Sequence, residues 1–185
     1  MRTAPHYPWL HACIQRRGRP RSPLYSWKNH KQVSKISTMK KILYLDLDNT
    51  LVDFRSGIAK LTAEYLEAYE NHYDDAPGIF SLMDPMPGGI DAFNRLAGVY
   101  DTYILSTAPW DNPSAWSDKL LWVKKYLAER AYKRLILSHH KNLNCGDYLV
   151  DDRIDARGVD RFTGEVIYFG SDAYPDWAAV TSYLL

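Results

Sequence analysis

The stretch Ile42-Leu43-Tyr44-Leu45-Asp46-Leu47-Asp48-Asn49-Thr50-Leu51 limits the folds open to this chain more than any other. A basic pair, Lys40-Lys41, leads into a short apolar run that stops abruptly at carboxylates. A run of that kind, ended by polar turn formers, predicts a buried strand of a parallel sheet. Asp46 and Asp48, spaced i, i+2, share one face of an extended chain. They stand where the strand gives out, so both look into one crevice. In open α/β sheets that crevice, beyond the carboxyl ends of the strands, is where ligands bind. Two carboxylates so close repel unless something positive joins them, and a divalent cation is the expected third party. The plainer alternative is a strand that ends in acids facing water.

Downstream, strand and helix alternate. Helical spacing is predicted from Ser56 to Tyr73, broken between Asn71 and Gly78, with a short helix or turn at Ile79 to Met83. This insertion, about residues 55–86, is a candidate small helical cap over the crevice; an ordinary crossover helix is the alternative. Gly88 to Ala97 reads as a helix and Tyr100 to Leu105 as a strand ending in Ser106-Thr107. Trp116 to Ala128 reads as an amphipathic helix with Leu120, Leu121, Val123, Tyr126 and Leu127 as its apolar set. Further strands are expected at Arg134 to Leu137, Tyr148 to Val150 and Val166 to Phe169, before a closing helix from Asp176 to Leu184. The alternation predicts an α/β fold, a parallel sheet flanked by helices.

The formal charge of +1 hides a split. Residues 1–38 carry eight Lys/Arg and no acid, which leaves 15 basic against 22 acidic residues in 39–185. So acidic a domain is a poor general nucleic-acid binder, and no nucleic-acid partner is expected of it. The basic segment shows neither helical nor alternating period. It reads as a transit peptide, as a basic arm, or as sequence upstream of a true start at Met39, and the last is preferred because the composition changes abruptly there. Cys13 and Cys145 fit no metal spacing and suggest no disulfide framework, the pattern of a reducing compartment. No apolar run approaches the ~18 residues needed to span a membrane. A cytoplasmic protein with no membrane partner is expected, of oligomeric state unknown.

Four strands end in polar residues that make a set: Asp46/Asp48, Ser106/Thr107, Lys141 after the third, and Asp151/Asp152. Each has a plainer reading alone: a turn or helix cap for Ser106-Thr107, a solvated charge for Lys141, a turn for Asp151-Asp152. In a parallel sheet, however, all four ends lie on one edge. A carboxylate nucleophile, a hydroxyl, an ammonium and a second acidic pair meeting there suit phosphoryl transfer. His139-His140 invites a metal reading, but adjacent residues of a strand point apart.

The Asp-x-Asp-x-Thr-Leu string resembles the first motif of the haloacid dehalogenase-like phosphohydrolases, whose Rossmann-like sheet is the fold then expected. By that chemistry Asp46 attacks phosphorus to form an aspartyl-phosphate. Asp48 protonates the leaving oxygen, then takes a proton from water. Mg2+ would be held by the Asp46 carboxylate, the Asp48 main-chain carbonyl and Asp151 or Asp152. Thr107 or Ser106 holds a phosphate oxygen, and Lys141 neutralises the phosphoryl group.

A closer resemblance runs through Asp46-Leu-Asp-Asn-Thr-Leu-Val-Asp-Phe54, Met86-Pro-Gly-Gly-Ile-Asp-Ala92, Ser106-Thr-Ala-Pro109, Trp122-Val-Lys-Lys-Tyr-Leu127, Leu135-Ile-Leu-Ser-His-His-Lys141, Gly146-Asp-Tyr-Leu-Val-Asp-Asp-Arg153 and Phe169-Gly-x-x-x-x-Pro-x-Trp177. These look like the 5′(3′)-deoxyribonucleotidases, over essentially all of residues 40–185. The resemblance implies a Mg2+-dependent phosphomonoesterase for (deoxy)ribonucleoside monophosphates. In it Thr107 and Lys141 are phosphate ligands, Asp152 is the third metal ligand, and Phe54 lines the substrate pocket. Two departures stand out: Asn49-Thr50 replaces the Gly-Val of mammalian members, and the cap is shorter than theirs. Sugar phosphates or other small phosphomonoesters are the alternative substrates. A non-catalytic phosphate- or metal-binding domain is the alternative from another class. A dehalogenase would leave Asp48 without a role, and a glycosyltransferase would leave Lys141 and Asp151-Asp152 without one.

Overall fold

The computed structural model describes residues 39–185, which form one compact unit. The expectations for the basic segment and for Cys13 fall on residues 1–38, outside the described residues. Five parallel strands make the sheet, in the order β5-β4-β1-β6-β7. They are β1 (Ile42–Leu45), β4 (Asp101–Ser106), β5 (Leu135–Leu137), β6 (Tyr148–Asp151) and β7 (Glu165–Tyr168). The chain starts at the centre, winds outward through β4 and β5, then returns to the other side of β1 for β6 and β7. The strand order therefore reverses beside β1, and the crevice that such a reversal opens lies directly beyond Leu45.

Alternation along the strands divides the core. Leu43 and Leu45 join Ile104, Val150 and Ile167 in the larger apolar cluster. Tyr44 packs with Leu105 and Leu149 on Val159 and Phe162, where a 3-10 turn (Val159–Arg161) covers the sheet. Full burial of each large apolar side chain contributes about 1.5–3 kcal/mol, so β1, apolar on both faces, anchors the sheet at its centre. The larger cluster is closed by α4 (Gly89–Val99), α5 (Ser114–Tyr126) and α6 (Trp177–Leu184), through Phe93, Leu96, Trp122, Val123, Trp177 and Val180. No helix among the described residues is long and apolar enough to cross a membrane.

Residues between β1 and α4 form an insertion clamped at its base. Strand β2 (Val52–Asp53) pairs antiparallel with β3 (Asp84–Pro85), with Asp53 opposite Asp84. The expected single helix from Ser56 to Tyr73 is instead α1 (Phe54–Ile58), α2 (Ala63–Ala68) and a 3-10 turn at Tyr73–Asp75, followed by α3 (Ile79–Leu82). The break has local causes. Asp53 caps α1 by accepting from the Arg55 and Ser56 N–H groups, and Thr62 restarts the helix by accepting from Tyr65 N–H. These side chains satisfy helix-end donors that a continuous helix would not present. Between them, Gly57 lets α1 approach α3: a Cβ there would stand 2.8 Å from Met83 Cγ and 3.3 Å from the Ile79 carbonyl oxygen.

Candidate active site

Asp46 follows β1 directly and keeps its ladder, its N–H donating to the Val150 carbonyl at 2.8 Å. The chain then turns over the Leu47 carbonyl, which accepts from Leu51 and Val52. Asn49 takes a left-handed conformation (φ 54°) in that turn, a backbone state asparagine tolerates better than most residues. Trp177 of α6 fixes the far side, its indole N–H donating to the Thr50 carbonyl at 2.8 Å. Asp46 and Asp48 are thus held against one crevice of about 230 Å³.

The crevice floor also includes Thr107 and Asp152. Its walls come from Phe54, Tyr73 and Phe80 of the insertion and from Arg153 and Arg157 after β6. Asn112 steadies the insertion wall, its amide donating to the Asp74 and Ala76 carbonyls at 2.9 and 3.0 Å. Phe54 and Phe80 pack ring to ring with centroids 6.0 Å apart.

Lys141 opens a 3-10 turn after β5, and its own N–H is held by the Arg157 carbonyl at 2.9 Å. Only 2% exposed, it donates to Asp46 Oδ1 at 2.7 Å and to Asp151 Oδ2 at 2.5 Å. Burial works to lower the pKa of this ammonium, but the charges of Asp46 and Asp151 outweigh it and the net shift is upward. Burial and the nearby Asp46 charge push the Asp151 carboxyl up to about 7, against the pull of Lys141. Asp152 is raised by the same two causes, while the Asn49 amide, donating to its Oδ2 at 3.3 Å, works the other way.

Carboxylate oxygens of Asp46, Asp151 and Asp152 lie within 4.8 Å of one another. Three carboxylates crowded together, with those of Asp151 and Asp152 raised by burial and by the Asp46 charge, are a donor set that a hard divalent cation fits, because its charge relieves their repulsion. Of the candidate metal residues, Asp46, Asp151 and Asp152 are brought together, whereas Asp48 lines the same crevice with its carboxylate turned to Lys119.

Ser106 and Thr107 are separated. Thr107 lines the crevice and donates from its hydroxyl to the Ser138 carbonyl at 2.9 Å. Ser106, the last residue of β4, is fully buried on the other side of the pleat and does not line the crevice, which argues against it as a phosphate ligand. His139 packs against the rings of Trp110 and Trp116, not beside an acidic cluster.

One residue of the site went unread in the sequence: Lys119. Helix α5 was expected to bury Leu120 and Leu121, yet these are 42% and 56% exposed. The inward stripe is Ala115, Lys119, Trp122 and Val123. Lys119 has no exposed surface, and its ammonium pairs with Asp48 Oδ2 and donates to Ser106 Oγ at 3.0 Å. Burial pushes the Asp48 carboxyl up and the Lys119 charge opposes it. The signal was present, because residues 115, 119, 122 and 123 share one helical face, but hydropathy discounts a charge in such a stripe.

Comparison with known proteins bears on this geometry. Residues 63–176 match the family described as 5′ nucleotidase, deoxy (Pyrimidine), cytosolic type C protein. A protein of Vibrio phage KVP40 named "Putative 5′(3′)-deoxyribonucleotidase" is 57% identical over 147 residues, covering 80% of this chain and 86% of that one. The chain belongs to this family. The human cytosolic-type 5′(3′)-deoxyribonucleotidase is 33% identical over 143 residues, 62% of this chain and 71% of its own. A solved structure described as the "putative HAD-hydrolase YfnB" from Bacillus subtilis, bound to magnesium, superposes with a TM-score of 0.53 at 13% identity, over 75% of this chain and 90% of that one. That likeness shows the fold. The expected α/β haloacid dehalogenase-like architecture and the deoxyribonucleotidase family both stand.

Proposed function

We propose that this member of the deoxyribonucleotidase family hydrolyses deoxyribonucleoside monophosphates through a phosphoryl group carried on Asp46. The observation that supports this most directly is the meeting of Asp46, Asp48, Thr107 and Asp152 on one crevice floor, with Lys141 buried between Asp46 and Asp151. In the first step a carboxylate oxygen of Asp46 bonds to phosphorus as the bond from phosphorus to the ester oxygen breaks. Asp48, whose carboxyl is raised by burial, gives its proton to the departing oxygen. In the second step water attacks phosphorus, Asp48 takes a proton from it, and the Asp46–phosphorus bond breaks to release phosphate. Lys141 and Thr107 bind the phosphoryl oxygens. Mg2+, held by the carboxylates of Asp46 and Asp152 and the main-chain carbonyl of Asp48, would offset the repulsion between two anions. Asp151, already engaged by Lys141 and by the Arg153 N–H at 3.0 Å, supports that set from behind.

We read residues 55–86 as a cap whose Phe80, packed on Phe54 at its neck, meets the nucleoside, with the small-molecule phosphomonoester as the partner and the cytoplasm as the compartment. Phosphate release is measured with the full chain on 5′- and 3′-deoxyribonucleotides, ribonucleotides and sugar phosphates, with and without Mg2+. Mg2+-dependent release that favours deoxyribonucleotides and vanishes in Asp46→Asn is the expected result. Release from sugar phosphates alone would sink the nucleotide reading, and Asp46→Asn at wild-type rate would sink the mechanism.

A further inference from the structure

Resting on the acid–base role proposed above for Asp48, we propose that Lys119 is the positioning residue that selects which oxygen of Asp48 serves the substrate. A buried ammonium is tolerated only when paired and hydrogen-bonded. Among the described residues Lys119 has one carboxylate partner, Asp48, bonded at Oδ2. Its remaining neighbours are the Ser106 hydroxyl at 3.0 Å and the face of Phe80, whose ring centroid is 4.4 Å from the ammonium nitrogen. Three contacts, from β4, α3 and the Asp48 turn, hold the ammonium in place.

The consequence falls on the other oxygen. Asp48 Oδ1 is buried and has no hydrogen-bond partner among the described residues, although Asp48 lines the crevice. A buried polar atom without a partner is costly unless a ligand supplies one. With Oδ2 held by Lys119, Oδ1 is the oxygen left to exchange a proton with the leaving group and then with water. Were the pairing lost, the carboxylate could turn and the two oxygens would exchange places. Displacement of an acid by about 1 Å is enough to cost roughly a hundredfold in rate. Through Phe80, the same ammonium also touches the insertion, so the wall of the crevice and the proton carrier share one anchor.

The test exploits the leaving group. A nitrophenolate departs without a proton, whereas a sugar alkoxide needs one. Full-length wild-type chain and Lys119→Met are compared on p-nitrophenyl phosphate and on a deoxyribonucleoside 5′-monophosphate, both with Mg2+, in a single turnover with enzyme in excess, so that release of the leaving group reads the first step alone. For the variant, the rate of nucleoside release is expected to fall about 100-fold. The enzyme concentration giving half the maximal rate should change less than about threefold, and the loss in nitrophenolate release should stay below about tenfold. Equal losses on both substrates, or none on either, would overturn the inference while leaving the proposed function intact. A wild-type chain that hydrolyses neither ester would overturn both. If Lys119→Met does not fold, Ser106→Ala removes a second bond to the ammonium; it should show the same split on a smaller scale, and parallel losses there would count against the inference.

Discussion

The indole nitrogen of Trp177 donates to the main-chain oxygen of Thr50 at 2.8 Å, joining the last helix to the turn that carries Asp48. The two residues are 127 positions apart in the chain, and the bond is buried. Trp177→Phe keeps the ring packing on Phe169 but leaves the Thr50 carbonyl unpaired. The expected cost is about 1–3 kcal/mol, read as a lower urea midpoint at unchanged m-value. Turnover should fall alongside, because the Asp48 turn loses its outer support. An unaltered midpoint would show that the bond contributes nothing.

Lys141 stands between two carboxylates, so its removal acts twice. Lys141→Met is expected to lower kcat by more than about a hundredfold, since the ammonium no longer meets developing phosphoryl charge. The same change leaves Asp46 and Asp151 facing each other in a dry site. Breaking one side of a buried pair costs about 3–5 kcal/mol, part of which protonation of Asp151 relieves. Thermal melts without metal should show the loss, and Mg2+ should restore some of it. Equal melting with wild type would refute the account.

The crowded Asp151 makes metal binding sensitive to protons. Burial and the nearby Asp46 charge push its carboxyl from the usual 3.8 up to about 7. A raised acid favours the folded state at low pH, and that contribution is lost as pH climbs from the unfolded value through about 7. Mg2+ held by the neighbouring Asp46 and Asp152 would disfavour the same proton through its charge. The rise in melting temperature on adding a fixed Mg2+ concentration should therefore be greater at about pH 8 than at about pH 6. A larger rise on the acid side would contradict the assignment.

Gly57→Ala probes the seam between α1 and α3. The new Cβ would lie 2.8 Å from Met83 Cγ and 3.3 Å from the Ile79 carbonyl oxygen, so the helices must part. Overpacking of this sort costs about 1–3 kcal/mol. Because Phe54 and Phe80 sit on those two helices, KM for nucleotide should rise more than kcat falls. A stable variant with wild-type KM would show that the seam yields freely.

Strand ends were legible from residues alone, and the site with them. Each strand is a short apolar run: Asp46 and Asp151 follow such runs directly, Thr107 comes one residue on, and Lys141 follows Leu137 after Ser138-His139-His140. The insertion was not, because Ile58, Leu61 and Tyr65 keep helical spacing across a break made by Thr62, whose side chain caps the second helix. Ser106 and Thr107 could not be told apart, since a strand shows adjacent side chains on opposite faces and its register depends on β5. Lys119 was hidden by its charge: nothing in the α5 sequence announces that an acid 71 residues earlier waits inside to receive it.

The pairing of Asp53 with Asp84 brings the two ends of the insertion side by side. Ser56 closes that neck, donating to the Asp53 carbonyl at 2.6 Å and accepting from the Asp84 N–H at 2.7 Å. The chain thus leaves the sheet and re-enters it through one doorway. Whatever lies beyond that doorway is free to lengthen, shrink or be exchanged without shifting the strands on either side. A lineage can therefore rewrite what the crevice admits while inheriting unchanged the carboxylates at the strand ends.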